Sequence, residues 1–221
     1  DAADLVVAVG CKLSHNGTGG FELPFAADRM IHADRSPTVL ASRYCGGVSI
    51  EADAVHLGPL LKRLTAAGVG TDWTADELSR YRQALAEERV TSIPFPPSVA
   101  GSSVSLAELF GEFDRALPHN RIVTIDSGHH QGLVRSLATV HRPAGLIAPA
   151  DFQAMGFGIP AAIAAKIADP AATVVACIGD GGFAMMGTEL LTAIREGIDL
   201  IVVVFNNGSL GLIENSQVRQ F

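Results

Sequence analysis

The sequence predicts an α/β fold with doubly wound, mostly parallel sheets, and a stretch near its carboxyl end carries most of that prediction. Thr173–Ile178 is a short β-branched, apolar run, as expected of a buried strand. After a glycine-rich break, apolar residues recur at helical spacing from Phe183 to Ile194, and Gly197 is placed to end that helix. Leu200–Phe205 is a second, wholly apolar strand. Strand, helix and strand in this order form a βαβ unit with a right-handed crossover.

Residues 1–90 show the same alternation of strands and helices. Leu5–Val9 and Arg29–Ala33 have the apolar pattern of strands. Val55–Leu64 has helical periodicity and is expected to end near Gly68. Thr74–Glu77 has the T-x-x-E form of a capping box, so a further helix begins there.

Residues 91–103 are a predicted linker between two domains. This segment holds three prolines and five hydroxyl residues, a composition typical of an extended connection. The second domain, residues 104–221, opens with another capping box at Ser105–Glu108. Arg121–Ile125 is its first strand.

The composition excludes several classes of partner. The chain has 221 residues, 48% of them hydrophobic, and a net charge of −7 without any basic cluster. Nucleic acid and anionic membranes are therefore not expected partners. The three cysteines are scattered without metal-ligand spacing, which is typical of a reduced, cytoplasmic protein. Because the first element begins almost at Asp1 and the sheet stops soon after Phe205, we expect an internal piece of a longer polypeptide.

Two polar turns follow the carboxyl ends of the strands in the βαβ unit. Gly179–Gly182 follows one strand and Asn206–Ser209 follows the other, and ligands bind at this edge of open α/β sheets. The carboxylate of Asp180, the amide oxygen of Asn207 and the carbonyl of Ser209 are hard oxygen ligands suited to Mg²⁺. The glycines allow tight turns with positive φ, and a phosphate can approach bare backbone N–H groups at the start of the helix. Each turn by itself is better explained as an ordinary connection, because glycine and asparagine are common turn residues.

The combination of motifs is more specific and resembles a known family. Gly179–Gly181, then residues 182–205 (24 in all), then Asn206-Asn207 resembles the thiamine-diphosphate motif GDG–spacer–NN. Met155–Ile163 is similar to the MGFGLPAAI segment of acetolactate synthase-type enzymes. Asp126–Gln131 (DSGHHQ) is similar to the DVGQHQ turn of the same family.

The resemblance implies two Rossmann-like domains, both expected to be incomplete. Residues 1–90 would be the C-terminal part of the central domain, and residues 104–221 the thiamine-diphosphate-binding domain, truncated at its C-terminus. Met155 would support the cofactor in its bent conformation, and Gln153 stands where the family has glycine. The cofactor-binding residues implied are Gly128, His129, His130, Gln153, Met155, Gly179, Gly181 and Gly182, and the Mg²⁺ ligands are Asp180, Asn207 and Ser209.

His129 and His130 have two interpretations. They are either polar residues of a solvated loop or, by the resemblance, donors to phosphate or substrate. No residue of this chain is assigned as the catalyst of proton transfer. The resemblance implies that the activating glutamate comes from an N-terminal domain, and that the site forms at the subunit interface of a homodimer or homotetramer.

The implied activity is that of a thiamine-diphosphate- and Mg²⁺-dependent enzyme that decarboxylates a small-molecule 2-oxo acid and then ligates the product to an acceptor. Asn215-Ser216 stands where biosynthetic enzymes of the family have Gln-Trp, which leaves simple 2-oxo acid decarboxylation open. A non-catalytic assembly module that keeps the cofactor fold is a further alternative. Lys12–Asn16 lacks the charged RFDDR-like segment with which the family binds FAD, so FAD is doubtful.

Overall fold

The chain divides into two compact units, Asp1–Thr74 and Ala75–Phe221. The computed structural model describes residues 4–14, 16–18, 21–22, 27–40, 42, 44, 47–68, 72–91, 106–150 and 152–220. The predicted linker 91–103 lies outside these ranges except for Thr91, and it stays a prediction. The division at Thr74 places the helix that follows it with the second unit, whereas the sequence pattern placed the boundary after that helix.

The first unit contains a three-stranded parallel sheet. Its strands are β1 (Val6–Val9), β2 (Met30–Asp34) and β3 (Val48–Glu51), in that spatial order, followed by helix α1 (Leu57–Ala66). The two predicted strands and the predicted helix are confirmed. Strand β3 was not predicted because only four residues form it, two of them polar and all of them exposed.

The second unit is built on a four-stranded parallel sheet with the order β5-β4-β6-β7. Ile125 pairs with Cys177, and Gly179 pairs with Phe205, so the carboxyl ends of the three longer strands lie along one edge. The elements are α2 (Ala75–Thr91), α3 (Leu106–Ala116), β4 (Ile122–Ile125), α4 (His129–Leu137), β5 (Leu146–Ile147), α5 (Gly158–Ala168), β6 (Val174–Gly179), α6 (Asp180–Met186), α7 (Leu190–Arg195), β7 (Ile201–Phe205) and α8 (Gly211–Gln220).

Helices cover both faces of this sheet, as the doubly wound prediction requires. On one face, β4 and β6 pack with α5 and α7 through a cluster that includes Ile122, Val174, Ala176, Ile178, Ile159, Ala162 and Ala193. On the other face, they pack with α3 and α4 through Val123, Ile125, Val175, Cys177, Phe110 and Val134. A parallel strand buried on both faces reads as a continuous apolar run, which is why β6 was easily predicted. Burial also raises the pKa of the Cys177 thiol to about 12.

The helix after β6 differs from the prediction in two ways. It begins at Asp180, within the glycine-rich stretch, and Gly187–Glu189 forms a 3-10 turn that divides it into α6 and α7. The predicted positive φ in this stretch is wrong: Gly179 has an extended backbone (φ −77°, ψ 161°), and neither Gly181 nor Gly182 has a positive φ. Gly197 does have a positive φ, 64°, where the helix was expected to end.

No helix within the described ranges is long and apolar enough to cross a membrane.

Candidate functional site

The predicted site residues gather at one edge of the second sheet. Gly128–His130 follows β4, Gly179–Gly182 closes β6 and opens α6, and Asn206–Ser209 follows β7. The turn before α5, Gln153–Phe157, lies at the same edge. The backbone N–H groups of Gly156 and Phe157 donate hydrogen bonds to the carboxylate of Asp126, the residue that follows β4. The parallel register explains this convergence, since it aligns the carboxyl ends of the strands.

The carboxylate of Asp180 is tied to the turn after β7. Its Oδ2 accepts a hydrogen bond from the backbone N–H of Gly208 at 3.1 Å. Within that turn, Oδ1 of Asn206 accepts from the same N–H at 3.0 Å, and Oδ1 of Asn207 accepts from Ser209 N at 3.3 Å. Asp180 and the Asn207 turn are therefore neighbours, as the motif spacing predicted.

The donor set at this point suits a hard cation. Within the described ranges, His, Cys, Asp and Glu side chains form no group of three that could hold a metal. A site here would have one carboxylate, one amide oxygen and one carbonyl, with the remaining positions filled by water or phosphate oxygens. Mg²⁺ is commonly bound in this way, because it keeps several waters and takes few protein ligands. The residues therefore fit a magnesium-bound diphosphate.

The glycines of the motif lie close to neighbouring side chains. A Cβ added at Gly181 would lie 2.8 Å from Cδ2 of Leu210 and 2.9 Å from Cε of Met155. A Cβ added at Gly179 would lie 3.2 Å from the ring of His130. Met155 therefore contacts the first turn of α6, next to Asp180.

His129 and His130 are the first residues of α4, so the expectation of a loop is wrong for both. The side chain of His130 is buried, with 6% exposure, and stacks on Phe205 with ring centroids 5.5 Å apart and an interplanar angle of 11°. Its Nε2 is buried and has no hydrogen-bond partner among the described residues. Gly128 makes room for this ring, since a Cβ there would lie 3.0 Å from it and the backbone has φ +151°.

Burial lowers the pKa of His130, although the Asp126 carboxylate and the Cys177 carbonyl oppose the change in part. His130 is thus a neutral imidazole at pH 7, able to donate or accept one hydrogen bond. His129 lies near the turn that contains Asn207. A Cβ added at Gly211 would lie 3.4 Å from Nδ1 of His129 and 2.8 Å from Nδ2 of Asn207.

Gln153 has a left-handed backbone, with φ 52°. This conformation is easy for glycine and strained for other residues. The left-handed conformation gives a physical reason for the glycine that the similar family has at this position. With glutamine there, the backbone of this chain is strained at residue 153. Gly156, three residues further along the chain, is also left-handed, with φ 85°.

Three residues of the site were assigned no role from the sequence, although Asp126 and Gln131 stand at the two ends of the DSGHHQ segment. Asp126 is fully buried directly after β4, and Phe205 stacks on His130. Gln131 is buried, and its Nε2 has no partner in the part of the chain that the structure describes. The signal for Asp126 was its place directly after an apolar strand, where a carboxylate needs a reason to be buried. Gln131 and Phe205 carried no separate signal, since either residue is ordinary in a helix or a strand.

The segment that carries this site is a cofactor-binding domain of a known class. Residues 126–221 match the family described as "Thiamine pyrophosphate enzyme, C-terminal TPP binding domain". Beyond these residues, the chain as a whole is similar to acetolactate synthases.

Similar proteins support that placement along the whole chain. The chain is 30% identical over 216 residues to a probable acetolactate synthase large subunit of Methanocaldococcus jannaschii, covering 95% of this chain and 36% of that protein. It is 27% identical over 215 residues to acetolactate synthase isozyme 1 large subunit of Escherichia coli (97% and 37%). It is 29% identical over 240 residues to sulfoacetaldehyde acetyltransferase of Alcaligenes xylosoxydans xylosoxydans (98% and 40%). The chain spans little more than a third of the length of these relatives.

Proposed function

We propose that this chain supplies the diphosphate- and Mg²⁺-binding part of an enzyme that decarboxylates a 2-oxo acid and ligates the product to an acceptor. The observation that carries the proposal is the contact between the Asp180 carboxylate and the turn that contains Asn207. The names of the relatives, acetolactate synthases among them, support the reaction class.

In this proposal, the side-chain oxygens of Asp180 and Asn207 and the carbonyl of Ser209 hold Mg²⁺, which in turn holds the diphosphate. Asn207 must release its bond to Ser209 N, or share the same oxygen, to reach the ion. The hydrogen bond from Gly208 N to Asp180 Oδ2 holds the turn at the start of α6, and the bond from Gly208 N to Asn206 Oδ1 stabilises the turn itself. Both bonds limit the rearrangement that binding requires.

The remaining contacts would hold and orient the organic part of the cofactor. When bound, thiamine diphosphate supplies an electron sink for the carbanion formed from a 2-oxo acid. Met155 packs against the first turn of α6 and would support the bent cofactor from that position. Phosphate or substrate would lie against six residues that are either histidine or glycine: His129, His130, Gly128, Gly179, Gly181 and Gly182. Because His130 is buried and neutral, it would add no charge, and the ring nitrogen that does not donate to the Cys177 carbonyl could accept a hydrogen bond from the substrate.

We further propose that the catalytic site is completed by another subunit of a homodimer or homotetramer. The proton-transfer glutamate would come from a domain outside this sequence, so the residues above bind and orient, and none of them is assigned to proton transfer. Dissociation of the whole protein into single subunits should then abolish turnover, even though the separated subunits stay folded.

Product analysis tests the reaction. The whole protein, supplied with thiamine diphosphate, Mg²⁺ and pyruvate, should form acetolactate, which NMR distinguishes from acetaldehyde. Acetaldehyde alone would favour the simple decarboxylase, the alternative that Asn215-Ser216 leaves open. Cofactor binding without consumption of any 2-oxo acid would contradict an enzymatic role and favour an assembly module.

We expect the whole protein to purify without flavin. Lys12–Asn16 offers neither the carboxylates nor the arginines of the FAD-binding segment in the resembling family. The measurement is an absorbance spectrum near 450 nm after gentle purification, followed by acid release and fluorescence. One flavin per chain would show that other residues bind FAD.

A further inference from the structure

The carboxylate of Asp126 is the most completely enclosed charged group of the second unit. Its residue has 0% exposure, and its two oxygens accept three backbone hydrogen bonds. Oδ1 accepts from Ser127 N at 2.8 Å and from Phe157 N at 3.0 Å, and Oδ2 accepts from Gly156 N at 2.9 Å. A buried carboxylate with three N–H donors is satisfied as an anion, and such charge-assisted bonds are stronger than neutral ones.

Two of these donors immediately follow Met155. Gly156 and Phe157 form the turn between Met155 and helix α5, and Gly156 needs its left-handed φ of 85° to present its N–H in this way. Asp126 therefore fixes the backbone on which Met155 is carried.

The same carboxylate also contacts the start of α6. A Cβ added at Gly182 would lie 2.0 Å from Oδ2 of Asp126, far closer than any real contact. Gly182 is the residue after Gly181, against which Cε of Met155 packs. One anionic group thus links the end of β4, the Met155 turn and the first turn of α6.

We propose that Asp126 is a positioning residue that sets the distance between Met155 and the metal-binding end of α6. It acts through the N–H groups of Gly156 and Phe157. The inference rests on the proposed cofactor-supporting function of Met155. An amide cannot replace this carboxylate, because one of its two ends is an NH₂ group that would face an N–H donor.

The test compares Asp126→Asn with Thr124→Val in the whole protein. Thr124 is a matched control because it is fully buried on the same strand and donates Oγ1 to Gly158 O at 2.8 Å, just beyond the Met155 turn. Both variants lose one buried hydrogen bond, but only Asp126→Asn disturbs Gly156 and Phe157. Three measurements are needed: amide hydrogen exchange without cofactor, thiamine diphosphate affinity by calorimetry, and kcat with KM for pyruvate.

In Asp126→Asn, the amide that faces the new NH₂ group, at Gly156 or at Phe157, loses its acceptor. We expect its exchange to accelerate roughly 10-fold or more, and cofactor affinity to fall by a similar factor. Because Asp180 is intact, excess Mg²⁺ should not restore the affinity. With cofactor at saturation, kcat should fall while KM for pyruvate stays near its wild-type value. Thr124→Val should lower thermal stability without these changes.

Wild-type exchange and affinity in a folded Asp126→Asn variant would overturn the inference. If wild-type protein binds no thiamine diphosphate, the proposed function fails, and the exchange data still decide whether Asp126 holds the turn. If Asp126→Asn does not fold, Gly182→Ala perturbs the same carboxylate from its other side and should accelerate the same two amides. Rapid exchange of both amides in the wild-type protein would show that the carboxylate does not hold the turn.

Discussion

Asp180→Ala is expected to abolish Mg²⁺-dependent retention of thiamine diphosphate by the whole protein while leaving the fold largely intact. Asp180 is the one anionic group in the proposed metal set, and its Oδ2 also accepts the N–H of Gly208. The substitution removes both the charge that attracts Mg²⁺ and the bond that holds the Asn207 turn against α6. Loss of an outer-shell partner already costs about 10- to 100-fold in metal affinity, so loss of a direct ligand should cost at least roughly 100-fold.

Calorimetry with saturating Mg²⁺ measures this effect, and circular dichroism checks the fold. Asp199→Ala is a suitable control, because Asp199 is an exposed carboxylate that lies before β7, at the opposite end of the strand from Asn207. The control should bind cofactor as the wild type does. Unchanged thiamine diphosphate affinity in Asp180→Ala would contradict the assignment of Asp180 as a metal ligand.

Strands and site turns were predictable because their physical causes are local. β4, β6 and β7 are apolar runs that end in polar turns, and in a parallel sheet the ends of such strands must share one edge. The prediction that Asp180 and the turn with Asn207 lie close to each other followed from this rule and from the family motif. The short strands β3 and β5 were missed, since β3 has two polar residues among its four and is exposed throughout, and β5 has only two residues.

The causes of the remaining features lie in distant parts of the chain. The bonds from Gly156 and Phe157 to Asp126 span about thirty residues, and no local pattern could reveal them. The division between α6 and α7 was missed because the apolar spacing of Phe183, Leu190 and Ile194 continues unbroken through the 3-10 turn. In the structure, Ile194 is 75% exposed, so the apolar face read from the sequence is not all core of this chain.

The glycines of the GDGG stretch show the same limit most clearly. Conformational freedom is the usual reason for a glycine after a strand, and the sequence analysis adopted it. The structure gives Gly182 a helical position inside α6 and a different requirement, namely the close approach of Asp126. A contact between residues 56 positions apart decides the identity of a residue that local reasoning had explained in another way.

Gly182→Ala is therefore expected to destabilise the protein, although alanine is normally the better helix former. The added Cβ would lie 2.0 Å from Oδ2 of Asp126 and 3.1 Å from Cγ1 of Ile178, so the carboxylate or α6 must move. Overpacking of this kind costs about 1–3 kcal/mol, and disturbing a buried charge-assisted hydrogen bond adds a comparable amount. The thermal unfolding midpoint of the whole protein without cofactor should fall by several degrees.

Gly111→Ala provides the matched control for this prediction. Gly111 lies in the middle of α3, is exposed, and has open space where a Cβ would be added. There the same substitution should stabilise the helix by roughly 0.5–1 kcal/mol, because alanine loses less backbone entropy on folding than glycine does. The two variants should thus shift the unfolding midpoint in opposite directions. Equal shifts of the same sign would mean that Asp126 does not press on α6, and that helix propensity alone decides the residue at position 182.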